Sequence, residues 1–153
     1  MSAGRVGPVE GFSAGEVRRQ AGARFTVATP GPGFTDVTRA VAAFVRESGL
    51  RDGLVTVFCR HTSASLTIQE NADPDVLRDL VTALRRLAPA DGGWRHTTEG
   101  PDDMPAHIKT MLTATSLQIP VTDGELMLGT WQAIYFCEFD GPRNRKITVT
   151  VLG

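Results

Sequence analysis

Three histidines carry all the imidazole chemistry this 153-residue chain has: His61, His96 and His107. His61 follows an apolar run, LVTVFCR. His96 lies in a long polar stretch, and His107 opens a short helical segment. None falls in an apolar stripe. Neutral imidazole is the commonest transition-metal ligand, and three histidines with one open position form a catalytic zinc pattern. No HExxH-type spacing ties the three together. Spacing alone therefore leaves two readings open: a divalent-metal site (zinc or magnesium), or three ordinary hydrogen-bonded histidines.

The segment ENADPD supplies Glu70, Asn71, Asp73 and Asp75 just beyond a strand-like run. Asp73 before Pro74 is a helix N-cap, and acids near a helix start suit its dipole. That accounts for Asp73 and Asp75 structurally. Glu70 and Asn71 are left over, at a strand end, where they can hold hydrated Mg²⁺ or orient a ligand. In LGTWQAIYF, Thr130, Trp131 and Gln132 follow a glycine that permits close backbone approach. Trp131 either stacks on a planar ring or fills the core. In GPRNRK, Arg143 and Arg145 read as a solvated turn or as a phosphate clamp, because guanidinium forks match phosphate oxygens. Lys109 and the hydroxyls of Thr62 and Ser63 are further candidates for phosphate.

These residues need elements to position them. RFTVATPG (24–31) reads as a strand bounded by Pro-Gly. Thr35 or Asp36 can cap a helix over about 36–48, where Val37, Val41, Phe44 and Val45 recur at helical spacing and Gly49 is a suitable stop. GLVTVFCR and SASLTIQ read as strands. A helix capped by Asp73 carries the stripe Val76, Leu77, Leu80, Val81, Leu84 and Leu87, which predicts one face packed on a sheet. Residues 89–105 form a polar stretch as long as structureless connections ordinarily get. A short helix is expected from Ala106 to about Thr113. Strands SLQIPVT, ELML, TWQAIYFCEF and KITVTVL follow, separated by turns at Asp123-Gly124 and Asp140-Gly141-Pro142. Tight turns make the sheet largely antiparallel. The class is α+β, with about six or seven strands and about three helices. Residues 1–21 read as a flexible arm and 22–153 as one domain.

Composition narrows the partners. A net charge of −1 gives no bulk electrostatic case for nucleic acid or an anionic membrane. No apolar run reaches the roughly 18–20 residues of a membrane span. The N-terminal segment lacks the apolar stretch of a secretory signal. Cys59 and Cys137 sit in buried-strand patterns without zinc spacing, which points to free thiols in a reducing cytoplasm.

Three long motifs in order, HTSASLTIQENADPDV, RHTTEGPDDMPAHIKTML and GELMLGTWQAIYFCEFDGPRNRKITVTVLG, resemble the YjbQ family, also called secondary thiamine-phosphate synthase enzymes. The resemblance covers about residues 22–153. It implies a small α+β domain that forms homotrimers and has a weak synthase activity. That activity joins a hydroxymethylpyrimidine diphosphate to a thiazole phosphate and releases pyrophosphate. It also implies a metal or anion site built from His61, His96 and His107. Asn71 matches the family's ENADP motif, flanked by Glu70 and Asp73; Thr130, Trp131 and Gln132 match GTWQ; Arg143 and Arg145 match the basic turn. Ser65 and Gln69 depart from the expected Gly/Ala and Asn. The expected catalytic set is Glu70, Asn71 and Asp73, with a phosphorylated small molecule as substrate. The alternatives are a non-catalytic phosphate- or metabolite-binding trimer and a metal-dependent hydrolase of another phosphate ester.

Overall fold

The computed structural model describes residues 4–153. In chain order the elements are β1 (Gln20–Thr29), β2 (Gly33–Asp36), α1 (Thr38–Ser48), β3 (Gly53–Cys59), β4 (Ala64–Glu70), α2 (Pro74–Leu87), α3 (Asp103–Leu112), β5 (Ser116–Thr122), β6 (Glu125–Leu126), β7 (Gln132–Glu138) and β8 (Arg143–Leu152). The α+β class with three helices holds. The described residues form eight strands, because GFTD, which the sequence pattern places in no strand, pairs with β7 as β2. Asp36 still ties off the helix start by accepting a hydrogen bond from the Thr38 N–H at 2.9 Å.

Two antiparallel sheets face each other. One has the order β1-β8-β3-β5-β6 and the other β2-β7-β4. The inward residues of β3, β5 and β8 (Val55, Val57, Ile119, Ile147, Val149) meet Leu66, Ile134 and Phe136 of the smaller sheet, together with Val41 and Val45 of α1, in one apolar core. Outward positions of the larger sheet, such as Arg24 and Phe58, are exposed, the alternation expected of a sheet with one wet face. β7 differs, being buried from Ala133 to Glu138. Its second face meets Phe34 and a small cluster of Ala106, Phe139 and Leu84. The helices α2 and α3 therefore lie outside the smaller sheet.

Two local features follow from sequence chemistry. The turn between β5 and β6 places Asp123 and Gly124 at φ 53° and 78°, as an Asp-Gly hairpin turn requires. At Gly53 the chain crosses the end of β8 so closely that a Cβ would sit 1.8 Å from the Leu152 carbonyl oxygen.

Helix α2 does not bury its stripe as expected. Asp73 caps it, accepting from the Asp75 N–H at 2.9 Å. Yet none of its residues is fully buried, and Leu87 is 65 % exposed. Only Leu84 reaches the small cluster beneath it. At the N-terminal side β1 begins at Gln20, and the Arg18 and Arg19 N–H groups donate to the Gly153 carbonyl.

Phe136 is fully buried at the centre of the core. Phe136→Ala is expected to cost about 3–5 kcal/mol, read as a lower denaturant midpoint with little change in slope.

Candidate metal centre and its surroundings

The expected short helix starts three residues early. Asp103 is its first residue and Pro105 its third, where a missing N–H breaks no intrahelical bond. The earlier start puts Asp103 and His107 four residues apart on one helix face. His107 Nε2 lies 3.0 Å from Asp103 Oδ2. His96 Nε2, from the long loop, lies 2.7 Å from the same oxygen. The two imidazole rings sit 5.5 Å apart. Ligand atoms of His96, Asp103 and His107 all fall within 4.8 Å of one another, the one such group among the described residues. Asp103 is buried, while the histidines are partly open to solvent.

Backbone contacts hold this group in place. Beyond α3, the Ala114 N–H donates to the Leu66 carbonyl at 2.9 Å and the Leu66 N–H donates back, locking the helix end to β4. The loop folds on itself: the Trp94 indole N–H donates to the Pro89 carbonyl at 2.8 Å. Its ring lies where a side chain on Gly92 would be. His107 Nδ1 then lies 2.9 Å from the Thr62 carbonyl. A carbonyl oxygen only accepts, so Nδ1 carries a proton and Nε2 faces the carboxylate. That leaves Nε2 either protonated or directing a lone pair at an anionic oxygen, and a cation between them satisfies both. Burial pushes the Asp103 carboxyl up. Hydrogen bonds with His96, Glu99 and His107, and the charge of His107, more than offset that and hold it below the usual carboxylate range.

His61 is not in the group. Its Nε2 accepts the Lys146 N–H at 2.8 Å, which occupies that lone pair. Burial, then the positive charge of Arg145, holds this imidazole below its ordinary range. His61 lines a recess of ≈ 530 Å³ with Arg60, Thr62, Ser63 and Arg145. Thr62 joins the two places, since its carbonyl is the one His107 uses.

Arg145 is no exposed clamp. It is buried and forks onto Glu138, with Nε donating to Oε1 at 2.7 Å and Nη2 to Oε2. Nη2 also donates to Ser63 Oγ at 3.0 Å, and Thr29 Oγ1 donates to Glu138 Oε1 at 2.7 Å. Both Ser63 and Arg145 are therefore occupied. Burial would raise the Glu138 carboxyl, but Arg145 and Thr29 outweigh it and hold it low. Arg143 is exposed and paired with Asp140 at 2.6 Å. Lys109 lies two residues past His107, roughly 200° around the helix, so it serves a different face.

The remaining candidates gather elsewhere. Glu70 pairs with Gln132, and the Asn71 N–H donates to the Trp131 carbonyl at 3.0 Å. Gln132 Oε1 accepts the Gly129 N–H at 2.8 Å. Thr130 is exposed, and Trp131 is 62 % exposed, so it is not a core residue. This group occupies the far end of β4 from Thr62 and Ser63. The length of β4 between its ends, Ala64 and Glu70, is six steps of about 3.3 Å, roughly 20 Å. Within one chain the expected site is thus two clusters. The group member that sequence reasoning missed is Asp103; its signal was the DxxxH spacing, hidden because the segment reads as loop.

Comparison with known proteins places this architecture. The family model described as UPF0047 protein YjbQ-like matches residues 23–153. The chain belongs to that family. A relative in Synechocystis sp., UPF0047 protein sll1880, is 51% identical over 129 residues, covering 83% of this chain and 88% of its own. A crystal structure of a YjbQ/UPF0047 protein from Clostridium acetobutylicum is 47% identical, with a TM-score of 0.80 over 84% of this chain and 98% of that one. A YbjQ-like protein of unknown function from Sulfolobus solfataricus is 28% identical, with a TM-score of 0.81 over 88% and 98%.

Removing the Arg145 charge strands Glu138. Arg145→Met is expected to lose about 3–5 kcal/mol at neutral pH. Wild type loses stability as acid protonates a carboxylate whose native pKa is depressed. The variant should instead gain stability on mild acidification, because protonation relieves its unpaired charge. Urea melts at two pH values check the sign.

Proposed function

We propose that this chain is a metal-dependent thiamine-phosphate synthase-type transferase, in which His96, Asp103 and His107 hold a divalent ion. The observation that carries the reading is the placement of His107, with Nδ1 2.9 Å from the Thr62 carbonyl and Nε2 turned to Asp103. Metal-binding histidines characteristically donate their other ring N–H in this way. Two imidazoles and one carboxylate suit zinc better than magnesium, which prefers oxygen. A bound ion would supply Lewis-acid stabilisation of charge on phosphate oxygens.

In the reaction, the bond from the pyrimidine's methylene carbon to the diphosphate oxygen breaks. A bond forms from that carbon to the thiazole ring nitrogen, and the electron pair leaves with pyrophosphate. The Arg60 guanidinium and the Thr62 hydroxyl, which line the adjoining recess, would bind the departing charge. Trp131, exposed beside Asn71 and Glu70, offers a face on which the pyrimidine stacks, with Glu70 and Asn71 orienting it. The roughly 20 Å between the two clusters is closed, in this reading, by a homotrimer that sets the Trp131 end of one subunit against the histidine end of the next. The half-covered stripe of α2 supports such an assembly. A cytoplasmic setting with both thiols free belongs to the same reading.

A second reading, a metal-dependent phosphate-ester hydrolase, is favoured by one fact. The histidine group and its recess adjoin within a single chain, without the Trp131 cluster.

Metal content separates ligands from bystanders. Asp103→Ala and His107→Ala should lose zinc affinity by at least about tenfold, whereas His61→Ala should retain the metal. Full metal in His107→Ala would sink the assignment. The shared site has its own check. Mixed trimers of His107→Ala and Trp131→Ala subunits should recover synthase activity that neither variant shows alone. Failure to recover it, with hydrolysis of phosphate esters by wild type, would favour the second reading.

A further inference from the structure

On the side of α3 away from the histidines, a cleft runs between α3 and the C-terminal half of α2. Its wider part, ≈ 390 Å³, is lined by Arg85, Lys109, Asp102, Pro32, Pro105 and Phe139. A narrower apolar extension adds Phe34 and Leu84 and shares Pro32, Arg85, Lys109 and Phe139. Two cations thus face one apolar-walled space from two helices. Among the described residues neither makes an ion pair, and the two share one cleft. Lys109 is half-buried and shares the cleft with the exposed Arg85 and with Asp102.

We propose that this cleft is a second, metal-independent binding site for a phosphomonoester of a small aromatic or similarly apolar alcohol. The phosphate sits between Arg85 and Lys109, and the apolar group lies against Phe139 and Pro32. A phosphomonoester offers three strong acceptor oxygens, enough to meet the Arg85 guanidinium and the Lys109 ammonium together while turning away from Asp102 at the cleft edge. The volume lies within the range of small-ligand pockets, which combine apolar walls with a few polar groups.

The site does not depend on the transferase reading, and the test keeps them apart. Phenyl phosphate, inorganic phosphate and benzyl alcohol are titrated calorimetrically into the intact protein, with and without EDTA. Phenyl phosphate should bind about tenfold or more tightly than inorganic phosphate, and benzyl alcohol more weakly still. Arg85→Ala and Lys109→Met should each weaken phenyl phosphate by about tenfold or more, with Arg85→Lys recovering part, while EDTA and His107→Ala change it by less than about twofold. Thermal melts confirm that the variants fold, and both sites are at surfaces where such changes are tolerated. The proposal is overturned if no saturable binding occurs, if the cleft variants bind like wild type, or if binding disappears with EDTA or His107→Ala. Equal affinity for inorganic and phenyl phosphate would overturn the ester assignment.

Discussion

A single buried carboxylate joins the two sheets. Glu138 ends β7 in the smaller sheet, and the guanidinium it accepts from, Arg145, lies in β8 of the larger one. Thr29 of β1 and the Asp140 N–H also donate to it, and Arg145 reaches on to Ser63. The pair itself adds little net stability, since removing two charges from water costs about what their attraction returns. What it adds is geometry. Once Glu138 is buried, Arg145 has one place to go, and Ser63 is fixed with it. Thr62 is the neighbouring residue, and its carbonyl sets the ring of His107. The orientation of an imidazole in the candidate metal centre thus traces back to an ion pair between sheets.

The same arrangement explains why the polar residues fall into two camps. β4 enters beside Ser63 and leaves at Glu70, and β7 returns from Gln132 to Glu138. Whatever is placed at one end of this pair is a full strand length from the other. The helices outside the sheet divide the first end again: α3 turns Asp103 and His107 toward the loop carrying His96, and Lys109 toward α2 and Arg85. One ten-residue helix therefore presents two different chemistries on two faces.

Much of this was legible in the residues. Asp73-Pro74, Asp123-Gly124 and the helix stop at Gly49 all act locally, through caps and turns that neighbours in sequence determine. The β-rich, antiparallel character followed from tight turns between apolar runs. What was not legible depended on distant partners. GFTD becomes a strand because β7 offers it an edge, not because of its own propensity. Pro105 looked like a boundary and is instead a first-turn residue, so the Asp103–His107 spacing stayed hidden. Arg145 reads in sequence as part of a basic turn, and nothing local reveals that its charge is answered seven residues earlier, by a strand of the other sheet. His61 shares its type with His96 and His107, but its lone pair is claimed by a backbone N–H of β8.

Gly53 shows how unlike causes can leave the same mark. The carbonyl of Leu152 occupies the space any side chain there would need, so no other residue fits without moving the end of a central strand. A saturation scan of this chain would record an intolerance at Gly53 comparable to that at Asp103. On the proposed reading one position is constrained by what it would bind, the other only by how closely two backbones pass.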